Sequence, residues 1–370
     1  MKFAIIALTD QGKKTALRLI AQLPEPADFY CHEHCQLQTQ SKQQQQPNIQ
    51  FEPQASSFKH LRELMPLLWS RYSVLIFIMA TGIVVRQISQ FLESKAKDPA
   101  VLVLDDHGRF VIPLLSGHLG GANAWSRFIA RALEATPIIT TATDGADLIA
   151  PDEYARRFNW KVWPLSNLPR INRLLLERRQ LTICSDYTLE DSHPLKLDDN
   201  YLFLAEDSRA KADLMITAFP VANEDKLYLI PPSLGVGIGC RRGKTVEAVL
   251  LAISKALELT GASTQAIKGL YSIELKADEL GLSQAAEVLK VPFVTFSAES
   301  IQNINEQFNL VKSEFVENKV GVNGVCEAAS ILGTQMGILI LPKLKMGGIT
   351  IALSCQKSLS WESVQGIPII

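Results

Sequence analysis

Residues 74–88, VLIFIMATGIVVRQI, read as a buried strand that passes through a glycine turn into a helix. The first seven residues form an apolar run without polar alternation, which is typical of a strand covered on both faces. After Thr81 and Gly82 the pattern becomes helical, and Arg86 lies on that helix. A covered strand that leads directly into a helix indicates an α/β fold with a mostly parallel sheet.

The same unit recurs along the 370 residues of the chain. Helical patterns lie between most of the apolar runs, and the first helix is expected from about Gly12 to Leu23, before Pro24. Further strands are predicted at 3–9, 100–106, 137–143, 181–184, 201–205, 213–219, 227–239, 267–275, 292–297, 337–343 and 347–354. The sequence therefore predicts a multi-domain α/β protein, with mostly parallel sheets flanked by helices and a separate C-terminal α/β domain.

Changes in composition predict where the domains begin and end. The first boundary precedes the charged stretch PDEYARRF, and the second precedes Pro231 and Pro232. We expect an N-terminal α/β domain at 1–145 with a glutamine-rich insertion near 36–50, a central α/β region at 146–230, a C-terminal α/β domain at 231–356 and a tail at 357–370. The polar, low-complexity insertion is predicted to be a flexible surface segment rather than a functional one.

Charge and cysteine content narrow the classes of partner and compartment. The chain has 37 Lys and Arg against 38 Asp and Glu, so it lacks the concentrated positive field that nucleic acids and anionic membranes attract. Its longest apolar stretch, 74–80, falls far short of the roughly 20 residues that a spanning helix needs. Six thinly spread cysteines favour a reducing interior over a disulfide scaffold. We expect a cytoplasmic protein with no nucleic-acid or membrane partner.

The stretch LLSGHLGGAN, 114–123, places several glycines where a strand gives way to a helix. Glycine lets a backbone approach a ligand closely, and a helix start offers free N–H groups. His118 stands at the mouth of this turn, where it is either a proton-transfer group or a residue that caps the turn. The residues predicted to line a ligand site here are Ser116, Gly117, Gly120, Gly121 and Asn123.

Two further segments of the N-terminal half carry candidate binding residues. Thr81 and Gly82, with Arg86 on the helix that follows, form either an anion site or simply a tight strand-to-helix turn. In IITTATD, 138–144, Thr141 and its neighbours follow a predicted strand. Their hydroxyl and carboxylate groups either face a ligand crevice or cap the next helix.

The C-terminal half carries a second glycine-rich cluster, GVGIGCRRGK, 235–244. It completes neither a phosphate-binding loop nor a dinucleotide fingerprint, so it is interpreted as a general anion site. Its candidate binding residues are Gly237, Gly239, Arg241 and Arg242, with Lys276 from the stretch IELKADE. Glu327 lies near a predicted helix start, where its carboxylate is either an acid/base group or a stabilising charge.

The stretch Cys31-His32-Glu33-His34-Cys35 has the composition of a metal site. In an extended segment Cys31, Glu33 and Cys35 share one face while the histidines share the other, so all five cannot bind one ion. A strand that turns into the glutamine-rich insertion explains the stretch more simply. No metal site is assigned there.

In these motifs the chain resembles the cobalt-precorrin-5A hydrolase family of the anaerobic cobalamin pathway. The resemblance covers most of residues 1–355 and lies in FIMATGIVVRQI, KDPAVLVLDDHGRFVIPLLSGHLGGAN, PIITTATD, GVGIGCRRG, IELKADE and VGVNGVCEAA, in that order. It implies a hydrolase that opens the ring A δ-lactone of cobalt-precorrin-5A and releases acetaldehyde, which leaves cobalt-precorrin-5B. Cobalt is then part of the substrate, so no separate cofactor is expected.

The implied substrate is a broad apolar macrocycle edged with carboxylates, which suits glycine-lined surfaces and arginine forks. We expect His118 to act as general base or acid, with Glu327 as a second candidate and N–H groups near Gly120 and Gly121 as oxyanion donors. Peripheral carboxylates would be held by Arg86, Arg241, Arg242 and Lys276. The alternatives are a nucleotide or phosphate site and a non-catalytic corrinoid carrier of the same pathway. Transfer of the corrinoid to or from neighbouring enzymes is expected in either role.

Overall fold

The computed structural model of the chain describes residues 1–35, 56–94, 97–222, 225–310 and 324–359. Two compact units, Met1–Arg156 and Arg157–Ile370, divide the chain, and each is described by itself. The expected boundary at 145 precedes the end of the first unit, and the one at 230 falls inside the second, between two sheets. The glutamine-rich insertion predicted at 36–50 and residues 360–370 of the predicted tail lie outside the described residues.

The first unit is built on a seven-stranded sheet. Its strands are β1 (Phe3–Ala7), β2 (Ala27–His32), β3 (Ser56–Phe58), β4 (Val74–Ile78), β5 (Ala100–Leu104), β6 (Phe110–Leu115) and β7 (Thr136–Pro137). Its helices are α1 (Asp10–Ile20), α2 (Leu61–Arg71), α3 (Thr81–Ile88), α4 (Ala122–Leu133), α5 (Ala142–Gly145) and α6 (Pro151–Arg157). The predicted strand at 137–143 is therefore wrong for most of its length, since α5 begins at Ala142.

The direction of β6 decides where the glycine-rich loop lies. In the order β3-β2-β1-β4-β5-β6-β7, strands β1 to β5 run parallel and β6 runs antiparallel to β5. Gly108 occupies the turn between β5 and β6 with φ 67°, a conformation that favours glycine. Leu115 at the end of β6 pairs with Val101 near the start of β5. The segment after Leu115 thus lies at the amino-terminal edge of the parallel strands.

Apolar residues cover both faces of this sheet, which explains the continuous apolar runs in the sequence. Along β1, Phe3 and Ile5 pack on the face that contacts α1 and α4, while Ala4 and Ile6 pack on the face that contacts α2 and α3. Full burial of one such large side chain contributes about 1.5–3 kcal/mol. The helix–sheet–helix layers are therefore held by dozens of similar side chains, and the loops at the sheet edges are free to carry polar groups.

The second unit contains two larger sheets and a two-stranded pair. The first sheet has the order β11-β9-β12-β13-β8 and is parallel except for β8. Its elements are β8 (Lys161–Trp163), α7 (Leu168–Arg178), β9 (Leu181–Ser185), α8 (Pro194–Leu197), β11 (Tyr201–Phe203), β12 (Leu214–Ile216) and β13 (Leu227–Ile230). The pair joins β10 (Thr188–Leu189) to β19 (Ser358–Leu359).

The other large sheet begins immediately after Pro231 and Pro232, where proline cannot donate to a strand ladder. The single strand predicted at 227–239 is therefore two strands, β13 and β14, in different sheets. The order is β16-β15-β14-β18-β17, with β14 antiparallel to β18. The elements are β14 (Leu234–Cys240), α9 (Val246–Thr260), β15 (Ile267–Ile273), α10 (Leu280–Leu289), β16 (Phe293–Phe296), α11 (Ala298–Gln307), α12 (Cys326–Gly333), β17 (Ile338–Met346) and β18 (Ile349–Cys355).

These sheets confirm the predicted fold class, mostly parallel α/β layers with a separate C-terminal sheet. That last sheet is mixed rather than parallel, because β17 and β18 form an antiparallel hairpin. Within the described parts of the chain, no helix is long and apolar enough to cross a membrane.

Close packing of α12 on β14 generates a stability prediction. A Cβ atom on Gly237 would lie 1.8 Å from the carbonyl oxygen of Cys326, so the helix would have to move. We expect Gly237→Ala to lower the free energy of unfolding by about 3 kcal/mol, the upper range for overpacking. Urea unfolding measures this change. Gly145→Ala, where nothing lies within 4 Å of the new atom, is the control and should change stability by less than about 1 kcal/mol.

Candidate functional site

The loop between β6 and α4 is folded tightly at the amino-terminal edge of the first unit's parallel strands. Ser116 is left-handed with φ 58°, an uncommon conformation for a residue other than glycine, and its hydroxyl donates to the Asp98 carbonyl oxygen at 3.1 Å. A Cβ on Gly120 would lie 2.5 Å from the Ser116 Cβ, and one on Gly117 would lie 2.8 Å from Oδ1 of Asn123. The glycines are thus required by the loop's own packing.

Hydrogen bonds within the loop use several N–H groups at the start of α4. The Gly121 N–H donates to the His118 carbonyl at 2.9 Å, and the Ala122 N–H donates to the Ser116 carbonyl at 3.2 Å. The Asn123 N–H donates to the Gly117 carbonyl at 3.0 Å. The Gly121 N–H, predicted as an oxyanion donor, therefore already has a partner within the loop.

His118 lies between two carboxylates. Its Nε2 is 3.1 Å from Oδ2 of Asp144 and 3.2 Å from the Thr143 hydroxyl, and its Nδ1 is 3.4 Å from Oδ2 of Asp152. The side chains of His118 and Asp144 are largely buried, and that of Asp152 is only 5% exposed. Both ring nitrogens therefore face acceptors, as expected for an imidazolium.

Asp144 is the most heavily bonded member of this cluster. The Asn123 amide donates to Oδ2 of Asp144 at 2.8 Å and also to the Thr141 hydroxyl at 2.8 Å. The Arg127 guanidinium forms a close ion pair with Oδ1 of the same carboxylate. Asp144 thus ties the His118 loop, the start of α4 and the segment before α5 into one polar cluster.

Electrostatics within the cluster fix its protonation. Burial lowers the pKa of His118, but hydrogen bonds and charge from Asp144 and Asp152 outweigh burial and raise it from 6.5 to about 10. Burial raises the pKa of Asp144, but hydrogen bonds and charges from His118 and Arg127 lower it from 3.8 to about 2. At neutral pH the ring is therefore a cation and Asp144 an anion, so His118 can donate a proton but is not ready to accept one.

The structure brings one set of predicted residues together: Ser116, Gly117, His118, Gly120, Gly121, Asn123 and Thr141. Sequence reasoning noted the carboxylate of Asp144 but missed Arg127 and Asp152 as site residues. Arg127 follows Asn123 by four residues, the spacing that places two side chains on one helix face. Asp152 lies in the stretch interpreted only as a domain boundary.

Thr81, Gly82 and Arg86 lie at the opposite edge of the same sheet. They follow the carboxyl end of β4, whereas His118 follows the reversed strand β6. A strand of five residues separates the two edges by roughly 16 Å. Arg86 lies in the last turn of α3 and its guanidinium donates to the Gly82 carbonyl at 2.9 Å. The structure does not bring these three residues to His118.

In the second unit, the turn Arg241-Arg242-Gly243 contacts the stretch IELKADE, 273–279. The Gly243 N–H donates to Oε1 of the buried Glu279 at 2.6 Å, and the Lys276 ammonium is 3.4 Å from Oε2. Arg242 pairs with Asp278 at 2.8 Å on the exposed surface, and Arg241 is exposed. Lys276 and Arg242 thus already have acidic partners, while the described residues contain no ion-pair partner for the Arg241 guanidinium.

The remaining candidates of the second unit lie inside its packing. A Cβ atom on Gly237 would overlap the Cys326 carbonyl oxygen, and a Cβ atom on Gly239 would lie 2.7 Å from the Thr350 hydroxyl. Glu327 is buried in the first turn of α12, and its Oε1 accepts the Lys343 N–H at 3.1 Å. These contacts connect helix and sheet. Glu327 and His118 belong to different units.

The CHEHC stretch ends β2 and then turns. The Cys35 N–H donates to the His32 carbonyl at 2.8 Å, so the segment is not extended, and Glu33 is exposed while Cys31 and Cys35 are buried. The extended arrangement with Glu33 on the face of the cysteines is therefore not formed, and the simpler interpretation, a strand followed by a turn, is the one observed. Burial and a hydrogen bond with Cys35 raise the pKa of the Cys31 thiol to about 12. No group of three or more metal-binding side chains occurs among the described residues.

Titration of His118 tests the cluster. We expect NMR signals of this ring to titrate near pH 10 and those of Asp144→Asn to titrate closer to 6.5, because one anion is lost. With the folded-state pKa raised, the contribution of the protonated ring to stability is complete below about pH 6.5 and is lost as the pH rises through about 10. A wild-type midpoint near 6.5 would contradict the ion-paired cluster.

Comparison with known proteins assigns the chain to a family. Three family models match successive parts of it: Cobalamin synthesis G N-terminal at residues 63–144, Cobalamin biosynthesis central region at 149–231 and Cobalamin synthesis G C-terminus at 234–354. Cobalt-precorrin-5A hydrolase of Priestia megaterium is 31% identical over 365 residues, 95% of this chain and 94% of that protein. The Salmonella typhimurium protein of the same name is 33% identical over 359 residues, 95% and 96% of the two chains. This chain belongs to the cobalt-precorrin-5A hydrolase family.

Proposed function

We propose that this chain hydrolyses cobalt-precorrin-5A in anaerobic cobalamin biosynthesis, opening the ring A δ-lactone and releasing acetaldehyde to give cobalt-precorrin-5B. The observation that carries the proposal is the likeness to relatives named for this activity, over at least 94% of their own lengths. Such full-length similarity supports a common reaction more strongly than a shared fold does. The comparisons do not favour the alternative of a non-catalytic carrier.

The His118 cluster suits the first step of this reaction. Attack of water on a lactone carbonyl places negative charge on the carbonyl oxygen, and a fixed cation nearby stabilises that charge. His118 is such a cation, held by Asp144 and Asp152. The raised pKa of its ring favours the acid and charge-stabilising role over the base role that the sequence left open. The base is then expected among the neighbouring groups.

Arg241 is the strongest candidate for holding a peripheral carboxylate of the substrate. Its exposed guanidinium follows β14 directly, whereas Arg242 and Lys276 already pair with Asp278 and Glu279. A guanidinium binds a carboxylate through two parallel hydrogen bonds, which suits a macrocycle edged with such groups. Arg86 would serve a second carboxylate only after leaving the Gly82 carbonyl.

The cobalt of this reaction belongs to the substrate, so we propose no resident cofactor. We also propose a cytoplasmic location, which is supported by six free cysteines, since unpaired thiols are typical of a reducing compartment. We include in the proposal the transfer of the corrinoid to or from neighbouring enzymes of the pathway.

An isotope experiment tests both the overall activity and the attack of water on the lactone carbonyl carbon. The purified chain is incubated under anaerobic conditions with cobalt-precorrin-5A in ¹⁸O-labelled water. We expect one acetaldehyde per substrate and one ¹⁸O atom in the carboxylate of the corrinoid product, because water attacks the carbonyl carbon. Binding without acetaldehyde would support the carrier instead. Acetaldehyde with an unlabelled corrinoid would keep the hydrolase but refute attack at the carbonyl.

A further inference from the structure

Helix α6 carries two buried polar atoms for which the described residues supply no hydrogen-bond partner. They are Oδ1 of Asp152 and Nη1 of Arg156. Asp152 is 3% exposed, and the Arg156 side chain is 6% exposed. Native proteins rarely leave buried acceptors and donors unused, so such atoms indicate a missing ligand or water.

The two carboxylates beside His118 differ in how fully they are bonded. Asp144 accepts hydrogen bonds from Asn123, Arg127 and His118 through both of its oxygens. Asp152 offers Oδ2 to the His118 ring and leaves Oδ1 unused. Both oxygens of Asp144 are therefore bonded, whereas Asp152 keeps one whole oxygen for a further donor.

Arg156 brings the complementary atom to the same loop. Its Nε and Nη2 donate to the Glu153 carboxylate at 3.0 and 2.7 Å, which leaves Nη1 as the unused donor. Gly121 is left-handed with φ 82°, and a Cβ there would lie 3.2 Å from Cδ and 3.5 Å from Nη1 of Arg156. The absence of a side chain at Gly121 lets the guanidinium pack against the His118 loop.

Asp152 and Arg156 are four residues apart on α6, so their side chains point to the same side of the helix. One contacts the loop through His118 and the other packs over Gly121. The unused atoms are one acceptor and one donor. A molecule that satisfies both must offer one hydrogen-bond donor and one acceptor, and water offers both from a single atom.

We propose that Asp152 Oδ1 and Arg156 Nη1 bind the water that opens the lactone, with Asp152 as the proton acceptor. This inference rests on the proposed function. The water oxygen bonds to the lactone carbonyl carbon while one of its protons moves to Asp152 Oδ1. The ring C–O bond then breaks, the former carbonyl carbon becomes a carboxylic acid, and the departing alkoxide takes the proton back from Asp152. One water is consumed and Asp152 ends as it began.

Formate rescue of Asp152→Ala tests this assignment. Truncation at Cβ removes the base and leaves space for a small carboxylate. We expect kcat for acetaldehyde release to fall about 10²- to 10⁴-fold, the range for a general base. Added formate should then raise the kcat of this variant at least about tenfold. Asp147→Asn removes a carboxylate from an exposed position nearby, and its kcat should stay within about twofold of wild type.

A purely structural role for Asp152 would lower activity without formate rescue, so a folded but unrescued variant overturns the proposal. Should Asp152→Ala fail to fold, the isosteric Asp152→Asn replaces it. We expect the same loss of kcat with little change in KM, and a kcat within about threefold of wild type overturns the proposal. A wild-type chain that releases no acetaldehyde refutes the proposed function itself, whereas an active wild type with an active Asp152→Asn refutes only the role of Asp152.

Discussion

One buried imidazolium shared by two carboxylates organises the edge of the first unit's sheet that carries the loop between β6 and α4. His118 contacts Asp144 from the segment before α5 and Asp152 from α6, so three chain segments meet at one ring. Removing one partner of such a buried set leaves an uncompensated charge, which typically costs about 3–5 kcal/mol. The cluster is therefore a structural joint whose ring keeps its positive charge at neutral pH. A lactone carbonyl that gains negative charge during hydrolysis needs such a fixed charge, already oriented before substrate binds.

The backbone of the loop makes this arrangement possible. Left-handed Ser116 and Gly121 turn the chain sharply between β6 and α4, and the absence of side chains at Gly117 and Gly120 allows the turn to close. Strained conformations of this kind persist where the surrounding contacts hold them, and they often lie at functional sites. Here the Asp98 carbonyl and the first N–H groups of α4 hold the loop. Glycine serves the geometry of the loop first and the approach of a ligand second.

The sequence predicted the fold class because buried strands and amphipathic helices leave clear periodic signals. It identified the His118 loop from residue type and glycine content, but the partners of the ring depend on tertiary structure. Asp152 and Arg86 are at similar distances from His118 along the chain, but only Asp152 reaches the ring, through the reversal of β6 and the placement of α6. The same reversal separates His118 from Thr81 and Arg86. Gly237 was predicted to line a ligand site, but its missing side chain makes room for the Cys326 carbonyl of α12. The sequence cannot distinguish these two uses of glycine, because a helix and a ligand both require it for close approach.

The central claim is that the reaction takes place at the edge of the first unit's sheet that carries His118. The β5–β6 turn lies at the opposite edge of that sheet. Turnover of cobalt-precorrin-5A by His118→Gln, compared with His107→Gln in that exposed turn, tests it most directly. The account predicts that His118→Gln loses at least about 10²-fold in kcat while substrate binding is kept, and that His107→Gln stays within about twofold of wild type. Near-normal turnover by His118→Gln would contradict it.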